Sequence, residues 1–214
     1  RVQANGTVTK IAPAYNFSNP NALSFDSNNR LLVAEAGNSI LRIDLNTNNV
    51  ETLATGFGIP QAVLEYNNNI YFTDNQGYLY RIQPSDILPI TFPAISNRYI
   101  SYLIVGGSQG GMVIHPNGNI YASDYNGNVV MVSINTKTVT VIFNYPGFQT
   151  RGLALSPDKM TLIVTGYNSN EIAEIDLLSN YASILTNNSV ASNKLAGPFG
   201  IVVSNINFPN FIKP

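Results

Sequence analysis

Short apolar runs rich in Val, Ile, Leu and Tyr alternate along this chain with clusters of Asn, Gly, Ser and Asp. The first such stretch reads as four strands: ALSF (22–25), a turn at SNN, LLVAE (31–35), a turn at AGN, ILRID (40–44), a turn at NTNN, and VETLA (50–54). Later stretches repeat the arrangement as AVLE, IYFTD, YLYRI and YLIV, then MVIH, IYASD, VVMVSI and TVTVIF, then LALS, LIVTG, EIAEID and ASIL. Runs of this length, β-branched or aromatic and punctuated by Asn/Gly turns at hairpin spacing, predict antiparallel sheet. No window carries the 3.6-residue apolar stripe of an amphipathic helix, so the prediction is all-β.

The strands fall into repeated units. Aligned on the first strand of each, Asp26, Glu65, His115, Ser156 and Ser204 match, giving unit lengths of 39, 50, 41 and 48 residues. Nine residues beyond the first four of these stand Glu35, Asp74, Asp124 and Thr165. About four strands per unit of roughly 40–50 residues predict a β-propeller of four-stranded antiparallel blades. One unit cannot bury its own apolar face, so residues 1–214 are expected to form a single domain. Its repeats cover about 19–58, 59–109, 110–150 and 151–198.

The two ends carry half-units. TVTKIA (7–12) reads as a fourth strand with nothing before it, and FGIVVS (199–204) as a first strand followed only by a short tail. The expected ring therefore has four full blades plus a composite fifth, closed by residues 7–12 and 199–214, unless a neighbouring subunit donates strands there. The segment 83–101 holds three prolines between the third and fourth strands of the second unit, and is expected to loop out over one face.

Composition narrows the function classes. Charged residues make up 11% of the chain and the net charge is −1, so no basic surplus exists to attract a nucleic acid backbone. No stretch approaches the roughly 18 apolar residues of a membrane span. The absence of cysteine removes thiol catalysis, disulfides and thiolate metal sites. Uncharged polar residues carry the polarity, which suits a secreted, extracellular or periplasmic protein. Sequons begin at Asn5, Asn16 and Asn187 and are glycosylation candidates.

The phrases GGMVIHPNGNIYASDYNGNVVMVS and RGLALSPDKMTLIVTGYNSNEIAEIDL resemble NHL-repeat propellers and the related gluconolactonase, or senescence-marker-like, propellers over residues 19–205. For gluconolactonase-like enzymes the resemblance implies a divalent cation such as calcium, held by carboxylates and an Asn placed just before each first strand. A hard cation needs several oxygen ligands converging from different blades. Here those positions hold Asn21, Gln61, Gly110, Arg151 and Phe199. None is a carboxylate and one is a fixed cation, so no metal or other cofactor is expected at this ring. Asn21, Gln61, Arg151 and Phe199, with nearby Tyr125, become candidate binding residues instead.

Asp26, Glu65 and His115 are the candidates for acid/base or weak metal chemistry at the following ring. The competing reading, preferred here, is that they are turn residues bonding nearby backbone N–H groups. Glu35, Asp74, Asp124 and Thr165 are likewise assigned to blade architecture. Tyr15, Tyr66, Tyr78, Tyr80, Tyr125, Tyr145 and Tyr167 lie at or near turns and strand ends, where tyrosines stack on sugars, anchor proteins or fill spaces between blades. The leading expectation is a binding or scaffold module for a protein or glycan. The alternatives are a metal-dependent hydrolase or lactonase with a displaced site, and a subunit of an oligomer or filament joined through terminal strands.

Overall fold

Among the described residues sixteen short strands form where the apolar runs fall, with turns where Asn and Gly cluster. The structure, a computed structural model, describes residues 2, 4–92, 99–100 and 109–186, and among them there is no helix. The strands are β1 (Pro20–Phe25), β2 (Leu31–Glu35), β3 (Ser39–Ile43), β4 (Val50–Thr55), β5 (Pro60–Tyr66), β6 (Asn69–Asp74), β7 (Leu79–Ile82) and β8 (Ile90–Thr91). They continue with β9 (Gln109–Ile114), β10 (Asn119–Asp124), β11 (Asn128–Ser133), β12 (Val139–Asn144), β13 (Thr150–Leu155), β14 (Thr161–Gly166), β15 (Glu171–Asp176) and β16 (Ala182–Thr186).

Four sheets result: β1-β2-β3-β4-β8, β5-β6-β7, β9-β10-β11-β12 and β13-β14-β15-β16. All pairings within them are antiparallel except β4 with β8. The first strands of successive sheets lie side by side in the order β1, β5, β9, β13. This is the radial stacking of propeller blades. Among the described residues the ring is not closed. The second unit's YLIV and the whole closing segment 199–214, with Phe199, Ser204 and the sequon at Asn187, lie outside the described residues.

Each pair of neighbouring sheets encloses its own core. Between the first two, Phe57, Phe72, Tyr80 and Phe92 pack together, with Phe72 and Tyr80 stacked at 4.9 Å. Tyr71, Ile120 and Val130 belong to the core between the second and third, and Tyr121, Phe148 and Leu162 to the one between the third and fourth. A sheet covered on both faces is apolar on both, and LLVAE is buried at every position because Leu32 and Ala34 face the second sheet while Leu31 and Val33 lie under the N-terminal segment.

Two expectations need correction. TVTKIA does not run as a strand: Val8 makes a single bridge to Val2, and Ala12 takes a left-handed conformation before Pro13, which has no N–H to continue a ladder. Ile11, Ala12, Tyr15 and Phe17 instead cover the free face of the first sheet over Leu31, Val33, Leu41 and Ile43. The proline-bearing insertion does not simply loop out either. Ile90 and Thr91 add to the edge of β4 in parallel, and Phe92 enters the first core. The insertion's prolines fall outside that two-residue ladder, so they do not obstruct it.

Candidate functional site

A β-bulge stands at the same place in every first strand. Pairing slips by one between Pro20 and Ala22 in β1, between Pro60 and Ala62 in β5, between Gln109 and Met112 in β9, and between Thr150 and Leu153 in β13. The residues thrown out of register include Asn21, Gln61, Gly110 and Arg151, four of the five ring residues singled out in the sequence. A bulge re-aims the side chain it carries and is enriched beside functional sites.

The bulge also frees a backbone N–H, and the adjacent second strand satisfies it in two blades. Gly111 N donates to Ser123 Oγ at 2.9 Å and Gly152 N to Thr165 Oγ1 at 2.8 Å. Between these blades the backbones come so close that a Cβ on Gly110 would sit 2.4 Å from the Thr150 carbonyl oxygen. Asn21 spends its amide across the first two blades, donating to Pro60 O at 2.9 Å, and Gln61 reaches Ile59 O at 3.4 Å.

The turns that follow the second strands frame this rim. Asp74 and Asp124 are fully buried. Asp74 accepts from the N–H groups of Gln76 and Tyr78 and from the Tyr80 hydroxyl, and Asp124 from the N–H groups of Asn126 and Asn128 and from the Asn128 amide. Glu35 occupies the same place with one more methylene. It reaches outward to Ser18 N, the Tyr15 hydroxyl and Ser39 Oγ, and so pins the N-terminal segment to the first blade. Burial and the neighbouring Glu35 raise the Tyr15 pKa.

The turn held by Asp124 presents Tyr125, and the one after Gly166 presents Tyr167. The Arg151 guanidinium lies 3.7 Å from the centre of the Tyr125 ring and 5.2 Å from that of Tyr167. Burial lowers the Arg151 pKa, and the Tyr167 hydroxyl opposes that shift. The structure thus brings Arg151 and Tyr125 together and adds Tyr167.

At the other end of the first strands the picture differs. Asp26, Tyr66, His115 and Ser156 begin equivalent turns, and Glu65 stands one residue earlier. Asp26 is buried against Arg30, which it meets at 2.8 Å, and accepts the N–H groups of Asn28 and Arg30. His115 Nδ1 accepts Asn117 N at 3.1 Å, which leaves Nε2 to donate to Lys159 O at 3.2 Å. Ser156 Oγ accepts Thr161 N. Glu65 turns back to Ser27. Asp26 and Glu65 thus hold one turn between them, residues 27–29, whereas His115 is engaged in a turn of its own. Among the described residues no group of three His, Cys, Asp or Glu side chains is placed to hold a metal ion.

A family model described as a repeat of unknown function, DUF6923, matches residues 1–151. The chain belongs to the DUF6923 family. No curated protein matches this DUF6923 chain in sequence. Solved structures show its fold. It is similar to virginiamycin B lyase from Staphylococcus aureus, with 18% identity and a TM-score of 0.66 over 88% of this chain and 61% of the lyase. It is similar to a chain of the nidogen/laminin complex, with 15% identity and a TM-score of 0.67 over 87% of this chain and 69% of that one. The extracellular domain of BT4673 from B. thetaiotaomicron matches with 14% identity and a TM-score of 0.63, over 80% of this chain and 25% of its own. The chain thus spans about three fifths of the lyases it matches. The shared architecture is the β-propeller, and the gluconolactonase branch of the sequence resemblance is not among these neighbours. No helix among the described residues is long and apolar enough to cross a membrane.

Proposed function

We propose that this chain is a propeller-type binding module that holds a macromolecular ligand, protein or glycan, on the bulged rim of its first strands. The observation that carries this reading is the Arg151 guanidinium stacked on Tyr125 beside Tyr167. Arginine and tyrosine dominate the energetics of protein interfaces, because a stiff amphipathic ring and a planar cation give large contact at small entropic cost. The composition of the rim therefore favours a protein. Propellers of similar shape include one solved in a nidogen/laminin complex and one that is an extracellular domain, which supports a secreted, extracellular or periplasmic setting. Asn5 and Asn16, both exposed, and Asn187 are then the glycosylation candidates.

The proposed organisation is one propeller domain over residues 1–214 with a composite fifth blade. Leu23 and Phe25 on the free face of β1 are 61% and 60% exposed, and a first strand formed by residues 199–204 would cover them. Phe199 would then complete the rim.

The test is affinity capture with the intact chain and with Arg151→Ala/Tyr125→Ala, both first checked for equal melting. A captured ligand is identified by mass spectrometry and titrated against both proteins. The double variant is expected to bind about 10-fold or more weakly, the loss typical of an interface anchor. Equal affinities would refute the assignment of the rim.

A further inference from the structure

The end of the blades opposite the rim carries a second concave site. A cleft of 520 Å³ opens between the first two sheets, within the range of small-molecule sites, about 300–1,000 Å³. One wall comes from the turn after β1, another from the turn after β5, and the insertion contributes Gln83, Pro84 and Leu88. Its apolar floor of Leu53, Ile70 and Ile82 is already sealed, at 0%, 6% and 3% exposure, so apart from Pro84 and Leu88 at the insertion's edge the groups that face a ligand are polar.

Those groups are planar, and three of them are held from behind. Arg30 gives Nε to Asp26, and no described residue accepts from its two terminal nitrogens. Arg42 gives Nε and Nη2 to Glu51, and no described residue accepts from its Nη1. Glu65 takes both Ser27 hydrogen bonds on Oε2, and among the described residues nothing donates to Oε1. The side-chain amides of Asn28 and Gln83 make no hydrogen bond to any described residue. The cleft therefore offers donors and acceptors together, with Arg30, Arg42 and Glu65 fixed by their partners and the two exposed amides able to turn toward a ligand.

Charge decides among ligand classes. Two guanidinium groups meet three carboxylates, those of Asp26, Glu51 and Glu65, so the site is slightly negative and does not favour an anion. The sealed floor offers an apolar anchor nowhere to insert. A ligand that donates and accepts at neighbouring atoms without charge fits both constraints, and vicinal hydroxyls on a sugar ring do this against a guanidinium, carboxylate or amide plane.

We infer that this cleft is a binding site for an uncharged saccharide, of mono- to disaccharide size, separate from the rim. Calorimetric and saturation-transfer NMR titrations of the intact chain with cellobiose, maltose, mannobiose and chitobiose test it, with digalacturonate as the acidic comparison. At least one uncharged disaccharide is expected to bind at millimolar Kd or tighter, and digalacturonate about 10-fold more weakly. Asn28→Ala/Gln83→Ala, which removes two exposed side chains that bond to no described residue, should cut that affinity about 10-fold, and Arg151→Ala should leave it unchanged. The inference fails if none of the four binds, if the double variant binds as well as the parent, or if digalacturonate binds best. Loss of the rim's ligand leaves these outcomes untouched, so the two readings are tested apart.

Discussion

Replacing Thr165 by Val removes one atom's chemistry and almost none of its shape. Thr165 is 1% exposed, and its Oγ1 is the acceptor for the N–H that the β13 bulge frees at Gly152, at 2.8 Å. Without it the N–H stays buried and unpaired, which costs about 1–3 kcal/mol, and no cavity adds to the cost. For a domain of this size that is a fall in Tm of roughly 3–10 °C. Ser123→Ala should act the same way through Gly111 N. Thr73 stands at the equivalent place in the second blade, but its Oγ1 is buried with no hydrogen-bond partner among the described residues. There Val should be neutral or stabilise by up to about 1 kcal/mol, because an unsatisfied hydroxyl is removed. Urea titrations followed by far-UV circular dichroism and tyrosine fluorescence read all three, since the chain has no tryptophan. If Thr73→Val lost as much as Thr165→Val, or if Thr165→Val lost nothing, the bulge would not depend on the hydroxyl.

Gly110→Ala should destabilise by about 1–3 kcal/mol, because the new Cβ meets backbone that cannot rotate away: it would lie 2.4 Å from Thr150 O and 2.8 Å from Arg151 Cα. A melting scan matching the parent would mean that β9 and β13 are further apart than described. Asp44, Asp158 and Asp176 have pKa values lowered below the usual 3.8, chiefly by hydrogen bonds from Thr47 N, Ser156 Oγ and Ser179 N respectively. The unfolded chain then binds more protons, so the stability these groups supply is complete above about pH 4 and is lost as the pH falls through their folded values. Asp176→Asn keeps an oxygen for Ser179 N but cannot titrate, and Tm plotted against pH from 6 to 2 should fall less steeply for it than for the parent.

The fold was legible because each strand announces itself. LLVAE and EIAEID are strands at the predicted boundaries, and most others moved by one or two residues. Register between strands was not legible. The nine-residue spacing from Asp26, Glu65, His115 and Ser156 to Glu35, Asp74, Asp124 and Thr165 is constant, yet the turns within it are not. The hydrogen bonds give turns of three, two, three and four residues, 27–29, 67–68, 116–118 and 157–160. Tyr66 is therefore the counterpart of Asp26, and Gly166 rather than Thr165 is the counterpart of Asp124. A strand buried on both faces has no polar alternation to fix which residue faces which way, so a slip of one leaves its apolar run unchanged. TVTKIA fails for a different reason: its alternation is strand-like, but it pairs only through the Val8–Val2 bridge and turns at Ala12 before Pro13.

The candidate site was half legible for a related reason. Asn21, Gln61, Gly110 and Arg151 were found by their place before each first strand, yet nothing in those four residue types signals a bulge. The cleft was missed because its walls come from residues 27–30, 42, 53, 65–70 and 82–88, which only blade packing brings together. The bulges also separate the rim into unequal halves. In the first blade Ala34 stands where a hydroxyl would satisfy the freed N–H, and in the second Thr73 is present but bonds to no described residue. In the third and fourth the hydroxyl bond is made, the two first strands approach to the limit that Gly110 allows, and the turns hold Tyr125 and Tyr167 against Arg151. An interface anchor gains most where its side chains lose least freedom on binding. On the proposed binding reading, the half built on Arg151, Tyr125 and Tyr167 is therefore where a partner is expected to be held.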